Sequence, residues 1–307
     1  MLERVRRRKR SVSSTAAATP VATHPPEVEL HGAAFGVDVA PGVRLQGTHA
    51  SAAGEGSTSA PTVVFCHCWT GRRQFWHATA RVLVDRGLDV VVLDHRGHGD
   101  SPLGDEPILI ETLSADLDVV LTQLGLERVV LVGHSEGGAI AAHRASTGDE
   151  RVVGLVIAAS AARFVSGRLR ALRPAARRVI GSRAVERLMA TRLGRPLVRP
   201  TLGRRPDPAA VDATIDAYRG TPRRSVAAHF EAVVQFDLRD DLGRIRVPTA
   251  VAVGDRDRLT PPRRAREIAD GVAGAVLVGA DGAGHMLPLE RPDELADLIS
   301  ALVDEVH

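Results

Sequence analysis

The spacing of apolar positions changes character along the chain. Residues 28–50, VELHGAAFGVDVAPGVRLQGTHA, alternate polar and apolar side chains in short stretches broken by Gly and Pro, which predicts antiparallel strands. After a flexible SAAGEGSTSAP (51–61), apolar runs take over: TVVFCH (62–67), DVVVLD (89–94), RVVLVG (128–133), VVGLVIAAS (152–160), PTAVAVG (248–254) and GAVLVG (274–279). Runs of this length predict strands buried on both faces, as in a parallel sheet. The amphipathic segments between them predict helices at 73–86, 112–124, 137–147, 262–270 and 292–304. The alternation lapses once, from Ala161 to Val247, where Arg-rich segments such as GSRAVERLMATRLG and PAAVDATIDAYRG, punctuated by Gly and Pro, predict three to five helices. The pattern therefore predicts a basic disordered tail (1–26), an α/β core (27–160 and 247–307) and a helical cap (161–246) inserted after the strand ending near Ser160. An insertion at the carboxyl end of a strand is placed to act as a lid.

Composition narrows the function classes. With 307 residues, 44% of them hydrophobic, the chain can bury one large core. No apolar run approaches the roughly eighteen residues of a membrane span, and the amino-terminal MLERVRRRKRSVSSTAAATPVATHPP lacks the apolar stretch of a secretory signal. The net charge of +3 is segregated: residues 163–205 hold thirteen arginines against the single acid Glu186, a local +12. An arginine-lined lid suits an anionic substrate, since the guanidinium fork grips carboxylate or phosphate. Arginines on amphipathic helices ordinarily form a solvated face instead, and with Lys9 the only lysine that reading is preferred. The basic tail is likewise read as a solvated extension rather than a membrane or nucleic-acid surface. Aromatics make up 3%, and no phosphate-cradling loop or zinc-ligand cluster is present, so no nucleic-acid partner is expected. Cys66 and Cys68, the only cysteines, lie two apart at a strand end, where side chains on one face cannot easily bridge. They point to a reducing compartment and a cytoplasmic location. His67 leaves the opposite face, so no metal site is expected there.

The candidate chemistry begins at VVLVGHSEGG (129–138), where a strand-forming run ends on Ser135 between Gly133 and Gly137. A sharp strand-to-helix turn needs residues that tolerate close backbone approach, and such an elbow lifts the hydroxyl above the sheet at a helix N-terminus. A serine hydroxyl is a weak nucleophile until a base removes its proton and a third group holds the base. GDRDRLTPP (254–262) and GADGAGHMLPLERP (279–292) follow the last two strands and supply Asp257 and His285 for those roles.

Taken together these segments resemble the α/β-hydrolase fold enzymes with a helical cap, over roughly residues 30–305. The resemblance implies an α/β fold with a mostly parallel central sheet and helices on both faces. It places the acid by the family's Gly-x-x-Asp-x-x-x-Pro pattern on Asp257, between Gly254 and Pro261, with Asp255 as the alternative. DHRGHGDS (94–101) matches the family's Asp-x-Arg-Gly-x-Gly-x-Ser turn, read as scaffold with Arg96 tying loops together. The oxyanion hole would use the backbone N–H of Glu136 and, from the loop after TVVFCH, that of Trp69. Relatives there usually read His-Gly-x-x-Gly, whereas this chain has HCWTG (67–71), with Cys68 read as a packed small side chain. Relatives that open epoxides or remove halides carry aspartate where Ser135 stands, and the epoxide openers use two cap tyrosines; Tyr218 is the only tyrosine here. The implied activity is hydrolysis of a carboxylic ester, thioester or lactone on a small acyl substrate, without cofactor. Carbon–carbon bond hydrolases and cofactor-free perhydrolases share the triad, and a non-turnover receptor on the same fold is the reading of another class. Oligomeric state is not legible.

Overall fold

The computed structural model describes residues 28–52, 60–165, 167–189 and 191–307. The expected tail and most of the expected flexible segment at 51–61 lie outside the described residues.

Eight strands form one sheet in the order β1-β2-β4-β3-β5-β6-β7-β8. They are β1 (Ala33–Ala40), β2 (Val43–Ala50), β3 (Thr62–Cys66), β4 (Val90–Leu93), β5 (Val129–His134), β6 (Val152–Ala158), β7 (Thr249–Gly254) and β8 (Val276–Ala280). β1 pairs antiparallel with β2, and β2 antiparallel with β4, as their alternating pattern predicts; the other five pairings are parallel. The central strands consist almost wholly of Val, Leu, Ile and Ala because both of their faces are covered. Successive side chains go to opposite layers. Val64, Val129 and Leu131 join the cluster beneath helices α2 (Ile110–Gln123), α3 (Glu136–Ser146) and α8 (Pro262–Gly271), while Val63, Phe65, Val130 and Val132 join the cluster beneath α1 (His77–Asp85) and α9 (Pro292–Val306).

Between β6 and β7 the described residues hold helices and no strand: α4 (Arg173–Ile180), α5 (Arg183–Met189), α6 (Pro208–Gly220) and α7 (Arg223–Gln235), with one-turn pieces between them. This helical segment packs near the carboxyl ends of the strands, where Met189, Val198, Leu202 and Ile215 share a cluster with Cys68, Phe75 and Met286. Helix boundaries differ from the apolar pattern by a few residues, most at Arg73–Trp76, which is a 3₁₀ turn leading into α1.

The turn at 94–101 is a rigid knot. Asp94 accepts from the Arg73 backbone N–H at 2.7 Å and from its guanidinium, and Ser101 Oγ donates to the Asp94 carbonyl at 2.8 Å. Arg96 is 1% exposed and grips Asp116 of α2 with two bonds of 2.6 and 2.5 Å. A buried pair contributes little against an apolar replacement, but removing one partner strands the other. Asp116→Ala is therefore expected to lower unfolding free energy by about 3–5 kcal/mol in urea titration, as breaking a buried ion pair does elsewhere.

Candidate active site

β5 ends on His134, and α3 begins at Glu136, leaving Ser135 alone to make the reversal. Its backbone adopts φ 54° and ψ −114°, a left-handed conformation that costs a non-glycine residue roughly 1–3 kcal/mol. The neighbouring glycines make room for the reversal. A Cβ on Gly137 would lie 2.2 Å from the Cys66 carbonyl oxygen and 2.6 Å from that of His67. One on Gly133 would lie 2.2 Å from the Gly137 carbonyl oxygen. Ser135 N–H donates to the Ala158 carbonyl at 2.9 Å, and Ser160 Oγ donates to the Ser135 carbonyl at 2.6 Å, so the turn is bonded on both sides.

The serine hydroxyl meets an imidazole and the imidazole meets a carboxylate. His285 Nε2 lies 3.0 Å from Ser135 Oγ, and His285 Nδ1 lies 2.9 Å from Asp257 Oδ2. All three side chains are buried, Ser135 being the most open at 8%. Asp257 Oδ1 accepts the Leu259 and Thr260 backbone N–H groups at 2.8 Å each. With both oxygens engaged by donors, Asp257 keeps Nδ1 as the protonated nitrogen and leaves Nε2 free to accept from the serine. Asp255, the alternative acid, is an exposed turn residue whose Oδ1 accepts from Gly282 N–H at 2.7 Å.

Several residues that motif reading passes over complete the site. Thr260 Oγ1 stands 2.7 Å from Asp257 Oδ2, 2.8 Å from the Ala159 carbonyl and 3.1 Å from His285 Nδ1. Its single proton serves one of the two acceptors at a time, so it bridges the acid to the end of β6. His134 donates from Nε2 to the His285 carbonyl at 2.7 Å; burial, followed by the nearby His285, pushes its pKa down to about 3, so it stays neutral. Glu290 accepts from the N–H groups of Gly284 at 3.0 Å, Met286 at 3.2 Å and Gly203 of the inserted helical segment at 2.6 Å. The Glu290 carboxyl is raised by burial, against the pull of those amides. The inserted helical segment also meets His285 directly, since His285 N–H donates to the Thr201 carbonyl at 2.7 Å.

The expected oxyanion donors flank this point. Glu136 opens α3, and Trp69 follows β3, whose last residues touch the first turn of α3 at Gly137. Neither backbone N–H finds an acceptor among the described residues. Cys68 is a buried free thiol, packed against Gly71, and burial pushes its pKa up to about 12, which removes it as a nucleophile. Among the described residues no group of His, Cys, Asp or Glu has the arrangement to hold a metal ion.

A serine, an imidazole and a carboxylate thus stand in line at the carboxyl ends of β5, β8 and β7. The family profile of the alpha/beta hydrolase fold matches residues 61–292, and the chain belongs to this family. It is 26% identical over 245 residues to the AB hydrolase superfamily protein YisY of Bacillus subtilis strain 168, covering 78% of this chain and 90% of that protein. To the non-heme haloperoxidase of Rhodococcus erythropolis it is 29% identical over 253 residues, covering 78% and 90%. A thermophilic esterase from Thermogutta terrifontis superposes with a TM-score of 0.76 at 25% identity, covering 90% of this chain and all of that one.

Burial alone would raise the Asp257 carboxyl, but the charge and hydrogen bond of His285 and the bonds from Thr260 outweigh it and hold the group below its ordinary value. A carboxyl depressed in the folded state contributes stability that is present above about pH 4 and lost as the pH falls through the folded value. The melting-temperature difference between wild type and Asp257→Asn is expected to shrink as the pH is taken from 7 towards 3.

Proposed function

We propose that the protein is a serine hydrolase that cleaves a carboxylic ester, thioester or lactone through an acyl-enzyme. The observation that carries this reading is the unbroken chain from Ser135 Oγ to His285 Nε2 at 3.0 Å and from His285 Nδ1 to Asp257 Oδ2 at 2.9 Å. Ser135 Oγ attacks the carbonyl carbon as His285 Nε2 takes its proton, and the carbonyl oxygen becomes an oxyanion held by the N–H groups of Trp69 and Glu136. Collapse breaks the bond to the leaving alcohol or thiol, which receives the proton from His285. Water, deprotonated by the same imidazole, then attacks the acyl carbon, and the serine leaves with the proton. Asp257 holds the ring and stabilises the imidazolium without taking the proton.

In this reading residues 161–246 are a cap domain over a core of 27–160 and 247–307. These helices carry a half-open cavity of about 250 Å³ lined by Ile180, Tyr218, Thr221 and Val226, with Arg219 and Arg223 at its wall. Those two arginines already pair with Asp216 and Glu186 at 3.3 and 3.0 Å. Arg173 and Arg195 are likewise matched by Glu231 and Asp212 within the cap. The pairing supports an uncharged acyl substrate over an anionic one, and supports the solvated-face reading of the arginines. Two buried free thiols support a reducing, cytoplasmic setting, and no described helix is long and apolar enough to cross a membrane. The haloperoxidase relative supports a second reading on the same residues, in which hydrogen peroxide replaces water as the acyl acceptor and a peracid is released.

A fluorophosphonate probe should label Ser135 rapidly in the wild type and not at all in Ser135→Ala; an unlabelled wild type would sink the hydrolase reading in favour of a receptor. A panel of p-nitrophenyl esters, thioesters and lactones, with and without hydrogen peroxide, should then identify the acyl donor and acceptor. On the best of these, Asp257→Asn should lower kcat by about 10⁴, the loss that follows when the base is left in the wrong tautomer.

A further inference from the structure

One cap helix touches both residues whose backbone N–H groups are assigned to the oxyanion. Trp69 Nε1 donates to the Val226 carbonyl of α7 at 3.1 Å, and the indole lies 5.8 Å, centroid to centroid, from Phe230. Glu136 Oε1 lies 2.9 Å from His229 Nδ1. Positions 226, 229 and 230 are three and four apart and so share one face of the helix. Cys68, the neighbour of Trp69, packs in the same cluster as the cap residues Met189, Leu202 and Ile215.

The His229–Glu136 contact is wholly buried, with both side chains at 0% exposure. His229 Nε2 lies 2.8 Å from the Arg96 carbonyl, which can only accept, so Nε2 carries a hydrogen. A bond at Nδ1 then requires one further proton between Nδ1 and Glu136 Oε1. The pair therefore carries no net charge, which is what its burial demands. Its far end is fixed as well, because Arg96 is locked to Asp116. The contact is a rigid strut running from the 94–101 turn through α7 to the first residue of α3.

We propose that helix α7 is the positioning element of the oxyanion hole: His229 holds Glu136, while Val226 and Phe230 hold Trp69, so the hole is complete only when the cap is docked. The inference rests on the serine-hydrolase reading above. His229, Val226 and Phe230 are positioning residues, since each acts through the side chain of a residue whose amide binds the oxyanion. Ala232 of the same helix packs in the core cluster of the sheet, so α7 is seated on the core, and any shift of it would take the oxyanion donors out of alignment.

The test uses the full chain, p-nitrophenyl acetate as substrate and a phenyl trifluoromethyl ketone as inhibitor, because the ketone adds to the serine as a tetrahedral oxyanion. Trp69→Phe keeps the ring and deletes the indole N–H. Glu136→Ala removes the carboxylate and leaves His229 neutral on Arg96, whereas Glu136→Gln restores a bond to Nδ1 through its amide. Trp69→Phe and Glu136→Ala are each expected to lower kcat by about tenfold, a fraction of the loss from deleting an oxyanion donor, and to weaken the ketone by the same factor with little change in KM. The double variant should lose less than the product of the two, because one broken tie already loosens the helix. Glu136→Gln should recover most of the loss. An active wild type whose Trp69→Phe and Glu136→Ala variants keep both kcat and ketone affinity, or lose only in KM, overturns the proposal. A wild type inert to ester and ketone overturns the hydrolase reading itself, and this inference with it.

Discussion

The site depends on backbone meeting backbone where Gly133, Gly137 and the end of β3 converge. No side chain fits there: added carbons would sit 2.2 Å from carbonyl oxygens of Gly137 and Cys66. Real Cβ atoms do not approach so closely, and these oxygens belong to paired strands and a helix that have no freedom to yield. Because the contact is this close, Ser135 is forced into its left-handed turn and Glu136 becomes the buried first residue of α3. The strain is held by bonds to Ala158 and Ser160, which is why the hydroxyl stands at a fixed place above the sheet.

A second constraint is the number of imidazoles in the interior. His67, His95, His98 and His134 are all at or below 1% exposure, and burial lowers the pKa of each. His67 shows how a neutral ring is accommodated: Nδ1 donates to the Cys68 carbonyl at 2.8 Å, and Nε2 accepts from His95 N–H at 3.0 Å. His98 Nε2 accepts from Thr70 N–H at 3.1 Å. These rings act as fixed polar spacers between loops. His285 differs because a carboxylate faces one nitrogen and a hydroxyl the other, an environment suited to moving a proton.

The sheet, its helices and the inserted helical segment were legible because each depends on local periodicity and on apolar runs covered on both faces. The serine, imidazole and acid singled out by motif are the three that the structure hydrogen-bonds together, and they were readable because each follows a strand and is marked by Gly or Pro. Thr260 and Glu290 lie three and five residues beyond the acid and the base, in the same motifs, yet their roles depend on which carbonyls and amides come within reach. His229 carried no local signal at all. It lies 93 residues from Glu136, in a segment whose packing no periodicity specifies. Trp69 drew notice only for its backbone, and nothing local marked its side chain as tied to Val226.

Glu290 has a consequence for how the molecule rests. Its carboxyl group accepts from Gly284 and Met286 on either side of His285 and from Gly203 in the inserted helical segment. The helical segment between β6 and β7 is thus pinned to the loop that carries His285, so the spacing between the two is set by a single side chain anchored in neither.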